Sequence, residues 1–263
     1  MGTLTTTEYV LSGDGTRIAY DRRGAGAVLV LVDGAMSERR TGAMRPLATH
    51  LAAAFTVVTY DRRGRGESTD ATGPVRDYRV ERELDDLARL IDAVGGDEVV
   101  AVHGASTGAL LAVHAVAAGL PVRSISLFEP PFGACATLGE GFADRLVRLL
   151  ETGRRAEVVT TFQRAVGIPE AIVAAGGGVQ FAPCAQTIVY DCRICSALTI
   201  DVVRRVCAPA LVVGSRATSG RLAAWTRDVV EALPCPQHVT LPGVWHGVPD
   251  DELAAVLTSF HRR

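Results

Sequence analysis

Gly104-Ala105-Ser106-Thr107-Gly108 combines a hydroxyl nucleophile with flanking glycines. An apolar run at residues 99–102 and His103 precede this G-x-S-x-G pentapeptide, and an alanine-rich segment at 109–118 follows it. A strand that turns sharply into a helix lifts a serine hydroxyl off the edge of a sheet, where it can attack a carbonyl carbon. The glycines let the backbone pass without an obstructing Cβ, and the helix start aims N–H groups at negative charge developing there. A serine in an ordinary glycine-rich turn has the same composition. Chemistry therefore requires a base, an acid to orient it, and donors for an oxyanion.

His246 is the base that the chain order favours. It stands in Gly243-Val244-Trp245-His246-Gly247, after a strand candidate at 238–241 and before the final helix. Of the other histidines, His50 and His261 read as helix-surface residues and His114 as part of the helix after the pentapeptide. His238 opens a strand, and His103 packs beneath the turn. The acid is unusual in position. The loop Gly214-Ser215-Arg216-Ala217-Thr218-Ser219-Gly220, where a carboxylate is most often found, has none. The preceding strand ends Leu127-Phe128-Glu129-Pro130-Pro131. A glutamate buried at the end of an apolar strand is costly unless paired. An imidazole N–H would pair it; a loop cap or an arginine partner is the alternative. Asp33 is the rival acid, but inward charge beside an oxyanion would oppose catalysis, so it is expected to turn away and tie down its loop. Oxyanion donors are expected from Thr107 and from Gly34 and Ala35 in Asp33-Gly34-Ala35-Met36.

Positioning these groups requires a sheet. Segments 8–12 and 16–22 flank Gly13-Asp14-Gly15, a hairpin signal. Continuous apolar runs at 27–32, 55–60, 99–102, 124–128 and 210–213 suit parallel strands covered on both faces. Helical spacing alternates with them: Val80, Leu84, Leu87, Leu90, Ile91 and Val94 share a face, and Asp250 can cap a last helix. The fold class read from this alternation is α/β, a doubly wound, mostly parallel sheet opened by a hairpin. Residues 133–208 break the pattern with helical periodicity and no convincing strand, with Gly176-Gly177-Gly178 as a flexible joint. They read as a helical cap inserted into a single domain spanning 1–263, above the sheet edge where ligands bind in open α/β folds. Phe142, Phe162, Phe181 and Tyr190 are the cap's candidate substrate-wall residues; packing inside the cap is an equal reading.

Composition removes whole classes of chemistry. Among 263 residues there is no lysine, so all 27 basic residues are arginine and Schiff-base, pyridoxal-phosphate and P-loop lysine mechanisms are excluded. Against 29 acidic residues the net charge is −2, too balanced for non-specific nucleic-acid binding. Asparagine is absent, which excludes N-glycosylation. Cys135, Cys184, Cys192, Cys195, Cys207 and Cys235 lack disulfide-framework or zinc spacing, and the C-x-x-C pair Cys192 and Cys195 reads as two ordinary residues on one helix face. No metal or cofactor is expected. Met1-Gly2-Thr3-Leu4-Thr5-Thr6 is polar, without a signal-peptide core, and its match to a loose myristoylation pattern has no polybasic support. No membrane span is expected, and the reading is cytoplasmic.

Taken together, Asp33-Gly34, Tyr60-Asp61-Arg62-Arg63-Gly64-Arg65-Gly66-Glu67-Ser68, the pentapeptide, Glu129-Pro130-Pro131 and His246 resemble the α/β-hydrolase superfamily over most of the chain outside the insertion. The Asp-Gly at the oxyanion loop and the glutamate in place of the usual acid resemble the zearalenone-type lactonases, a subgroup whose acid ends strand six. The resemblance implies a serine hydrolase of an ester, lactone or thioester of an apolar small molecule. Carbon–carbon bond hydrolysis uses the same parts. A non-hydrolytic biosynthetic or ligand-binding protein on this fold is the alternative from another class. Ser106 argues against the epoxide hydrolases and haloalkane dehalogenases, which need aspartate there. Natural substrate and oligomeric state are left open.

Overall fold

The computed structural model describes residues 6–139, 141–168 and 170–263, so the polar chain start with its Met1-Gly2 pattern lies outside the described residues. Eight strands form one sheet: β1 (Glu8–Leu11), β2 (Arg17–Arg23), β3 (Val28–Val32), β4 (Thr56–Tyr60), β5 (Val100–Ala105), β6 (Val122–Phe128), β7 (Ala210–Ser215) and β8 (Pro236–Leu241). Their spatial order is β1-β2-β4-β3-β5-β6-β7-β8. The hairpin pairs antiparallel and joins β4 antiparallel, while every pairing from β4 to β8 is parallel. Alternate residues of a strand face opposite sides of its sheet, and β3 shows what the continuous apolar runs accomplish. Leu29 and Leu31 join a core with Met44, Leu47 and Leu51 of α1 (Met44–Leu51) and with Leu253 and Leu257 of the C-terminal helix. Val30 and Val32 join the opposite core with Leu87 and Leu90 of α2 (Val80–Gly95) and Leu110 and Val113 of α3 (Thr107–Ala117).

Between β6 and β7 the described residues form helices joined by loops, and no strand. They comprise α4 (Ala134–Leu138), α5 (Phe142–Glu151), α6 (Arg155–Val166), the short turns α7 (Glu170–Ile172) and α8 (Gly178–Gln180), α9 (Ala185–Ala197) and α10 (Ile200–Arg204). At the glycine run 176–178 the backbone is irregular: a π-type segment spans Val173–Gly177, and Gly176 has φ 101°. Beyond β7 lie α11 (Gly220–Ala232) and α12 (Asp250–His261).

Two expectations are corrected here. Asp250 does not cap α12: Pro249 holds that position, and Asp250, Asp251 and Glu252 form an acidic first turn that suits the positive end of the helix dipole. His261 is not on the helix surface. It is buried, with Ser124 Oγ 2.8 Å from Nδ1 and Ser126 Oγ 2.8 Å from Nε2, because the end of α12 is hydrogen-bonded to β6. Ser126 also bonds His103 Nδ1 at 2.8 Å, beneath the turn that holds Ser106. Burial holds both rings at a pKa of about 3, below the ordinary 6.5.

Candidate active site

Parallel register aligns the strand ends that carry the candidate groups. Ala105 pairs with Phe128 and Phe128 with Val213, so the residues after β5 and β6 leave the sheet side by side. Ser106 N–H donates to Phe128 O and Glu129 N–H to Val213 O, both at 2.9 Å. Ser106 adopts φ 53°, ψ −126°, between β5 and α3. A non-glycine residue held there stores roughly 1–3 kcal/mol of backbone strain. Close approach explains two neighbouring glycines. A Cβ at Gly34 would lie 3.0 Å from Ser106 Cβ. One at Gly108 would press into the backbone carbonyls of Val32 and Asp33.

Glu129, also at positive φ (43°), is 1% exposed at the end of β6. Its Oε1 accepts Ser215 N–H at 2.9 Å, which uses the loop that lacks its own carboxylate. Its Oε2 accepts the backbone N–H of His246 at 2.6 Å and lies 3.0 Å from His246 Nδ1. The ring contact is close but poorly aligned, as hydrogen bonds of resting catalytic sites often are. Burial would raise the Glu129 pKa, yet hydrogen bonds from His246, Thr218 and Ser215 outweigh it and hold the carboxyl at about 2. The loop that presents His246 is itself constrained: Trp245 and His246 have φ 47° and 56°, and Trp245 N–H donates to Thr218 Oγ1 at 2.7 Å.

Ser106, Thr107, Gly34, Ala35 and His246 meet on one cavity of about 220 Å³ beneath the helical insertion. Ser106 Oγ makes no hydrogen bond to a described residue. The cavity walls are apolar: Met36 from the sheet side, Leu138, Phe162 and Ile168 from the insertion, Leu222 and Trp225 from α11, and Trp245 at the rim.

Among the four aromatic residues expected to form the wall, Phe162 lines this cavity. Phe142 and Phe181 pack half-buried against the insertion's core instead. Tyr190 stacks on Tyr78 with ring centroids 4.1 Å apart, and its hydroxyl donates to Asp70 at 2.7 Å. The face of α9 that reaches the cavity is the one bearing Asp191, Cys192 and Cys195. Trp225, Trp245 and Asp191 escaped the sequence reading, although Trp245 adjoins His246 and could have been weighed. Asp33 is buried on the loop after β3, and its carboxyl is hydrogen-bonded to the Ser37 side chain of the same loop. Burial lifts its pKa to about 6 against the lowering effects of Ser37, Arg65 and Arg62. Among the described residues no group of three or more His, Cys, Asp or Glu side chains could hold a metal ion. No described helix is long and apolar enough to cross a membrane.

The sequence pattern of the alpha/beta hydrolase family matches residues 24–258, which take in β3 to β8 and the insertion but not the opening hairpin. The chain belongs to the alpha/beta hydrolase family. It is similar to an alpha/beta hydrolase from Sphaerobacter thermophilus DSM 20745, with 37% identity and a TM-score of 0.85 over 97% of this chain and 100% of that one. A hydrolase of uncharacterised activity from Bacillus subtilis strain 168, YraK, is 36% identical over 108 residues. That match spans 41% of this chain and only 38% of the Bacillus protein's length. The enol-lactonase of Burkholderia xenovorans LB400 shares the fold, with a TM-score of 0.64 and 18% identity over 97% of this chain and 100% of that chain.

Proposed function

We propose that this alpha/beta hydrolase is a serine hydrolase that cleaves an ester, lactone or thioester of an uncharged, largely apolar small molecule. The observation that carries the reading is the Glu129 carboxylate against His246 at the rim of the cavity that contains Ser106. Ser106 Oγ attacks the substrate carbonyl while His246 takes the hydroxyl proton. Glu129 fixes the imidazole tautomer and stabilises the imidazolium that forms. The N–H groups of Thr107 and of the Gly34–Ala35 segment receive the oxyanion. His246 then protonates the leaving alcohol or thiol, and a water activated by the same imidazole hydrolyses the acyl-enzyme. The reaction so drawn needs no cofactor.

The helical insertion acts as the cap. Its wall residues, together with Trp225 and Trp245, set which acyl and alcohol groups fit. No arginine is among the residues lining the cavity, so an anionic substrate would find no counter-charge there, and the apolar side chains around Ser106 suit an uncharged one. Lactones suit a small apolar cavity as well as open-chain esters do, which agrees with the resemblance to lactonases whose acid is a glutamate. A serine-directed fluorophosphonate tests the nucleophile: it should label Ser106 stoichiometrically and abolish hydrolysis of p-nitrophenyl esters. A protein that is never labelled and turns over no ester, lactone or thioester would be a binding module instead.

A further inference from the structure

Asp191 lies fully buried on α9 of the insertion, yet both its oxygens reach into the catalytic fold. Its Oδ1 accepts Arg62 Nη1 and the Thr107 hydroxyl, each at 2.7 Å, and its Oδ2 accepts Arg65 Nη2 at 2.7 Å. The two arginines do not stop there. Arg62 Nη1 also donates to Asp33 O at 3.3 Å, and Arg65 Nη1 donates to Gly34 O. Glu83 takes the remaining face of Arg62 through Nε at 2.6 Å and Nη2 at 2.8 Å, so two buried positive and two buried negative charges cancel.

Every peptide bond here is trans, and in a planar trans peptide the C=O of one residue points opposite to the N–H of the next. Holding Gly34 O therefore aims Ala35 N–H away from Arg65, and holding Asp33 O aims Gly34 N–H away from Arg62. The hydroxyl bond to Thr107 fixes the first residue of α3 from the other side. We infer that Asp191 is a positioning residue that assembles the oxyanion hole from both halves and makes that assembly depend on the docked insertion. The guanidinium charges behind the carbonyls also polarise these peptides in the sense that favours an anion at their N–H ends.

This inference rests on the proposed serine-hydrolase function. If the unaltered protein shows no Ser106-dependent ester turnover, that reading fails, whereas the ratios of variant to native protein test the positioning role alone. Thr107→Val removes the hydroxyl and leaves every buried charge paired, with Thr107→Ala as the smaller substitute if valine is not accommodated. Either should lower kcat for p-nitrophenyl butyrate at least tenfold with KM changed less than threefold. Affinity for a trifluoromethyl ketone, whose bound form carries the oxyanion, should weaken by a similar factor. Thr107→Ser, which restores the hydroxyl, should recover most of the loss. Asp191→Asn, which loosens Arg65 while keeping an acceptor for Thr107, should show the same split. A folded Thr107→Val protein with wild-type kcat and ketone affinity would overturn the inference. A raised KM with kcat intact would overturn it too, since the network would then only shape the wall.

Discussion

Replacing Glu129 by glutamine tests the proposed acid at almost constant shape. The carboxylate faces N–H donors on both sides: Ser215 N–H on Oε1, and the backbone and ring of His246 on Oε2. A glutamine offers one carbonyl and one NH2, so whichever way it lies, its NH2 opposes a donor. With its oxygen toward His246, the Ser215 bond is lost and the imidazolium has no counter-charge. In the opposite orientation the NH2 selects the wrong imidazole tautomer. The corresponding change in a well-studied serine protease lowers kcat about 10⁴-fold, which is about 5.5 kcal/mol of transition-state stabilisation. Here the carboxylate is fully buried and its pKa sits at about 2, so it is charged at every practical assay pH. The Glu129→Gln variant should therefore lose on the order of 10³–10⁴ in kcat for p-nitrophenyl butyrate, with little change in KM. Steady-state kinetics on protein shown to be folded by circular dichroism provide the measurement. A folded variant within tenfold of the native rate would refute the assignment of Glu129 and of the geometry that supports it.

Ser106→Ala removes one oxygen from a turn and should abolish turnover while relieving backbone strain only slightly. Residual hydrolysis at the native rate would exclude Ser106 as nucleophile. Phe162→Ala and Trp225→Ala should shift the ratio of kcat/KM between acetyl and hexanoyl esters toward the longer chain, whereas Tyr190→Phe should leave it unmoved. Equal profiles for all three would show that these walls do not contact the acyl group. The buried His103 and His261 remain neutral in the fold down to about pH 3, while the unfolded chain takes up their protons near 6.5. Their contribution to stability is complete above pH 6.5 and is lost as pH falls toward 3, by up to about 1.4 kcal/mol per pH unit for each ring. Asp33 and Asp86, held at about 6, act in the opposite direction as they take up protons in the fold, so the histidine contribution is read as a difference. Stability from thermal melts between pH 7.5 and 4.5 should fall less with acid in His261→Gln than in the native protein, and equal slopes would discard the attribution.

What the sequence made legible follows from how local each signal is. Strands covered on both faces need unbroken apolar, β-branched runs, and the segments at 27–32, 55–60 and 210–213 announce β3, β4 and β7 within a residue or two. The turn at Ser106 is written in five consecutive residues, and Glu129 stands out as the candidate acid because the loop after β7 has no carboxylate of its own. The insertion is different. Its helices pack both onto one another and onto the catalytic fold, so apolar residues face several directions and periodicity does not say which face meets the cavity. Tyr190 and Cys192 are two residues apart on α9, yet one stacks on Tyr78 and the other lines the cavity.

The Asp191 network is illegible in the sequence for the same physical reason. Its bonds join residues 129 and 126 positions apart, and an aspartate in a helix or an arginine after a strand looks like any solvated charge until the chain has folded. Burying such charges is unfavourable unless each finds a partner. The insertion therefore docks in a register that brings Asp191 onto Arg62 and Arg65, and that register presents Cys192, Cys195 and Phe162 to Ser106. Under the proposed function, selection of the substrate wall and orientation of the oxyanion donors would have one structural cause, the seating of α9 against the strand ends.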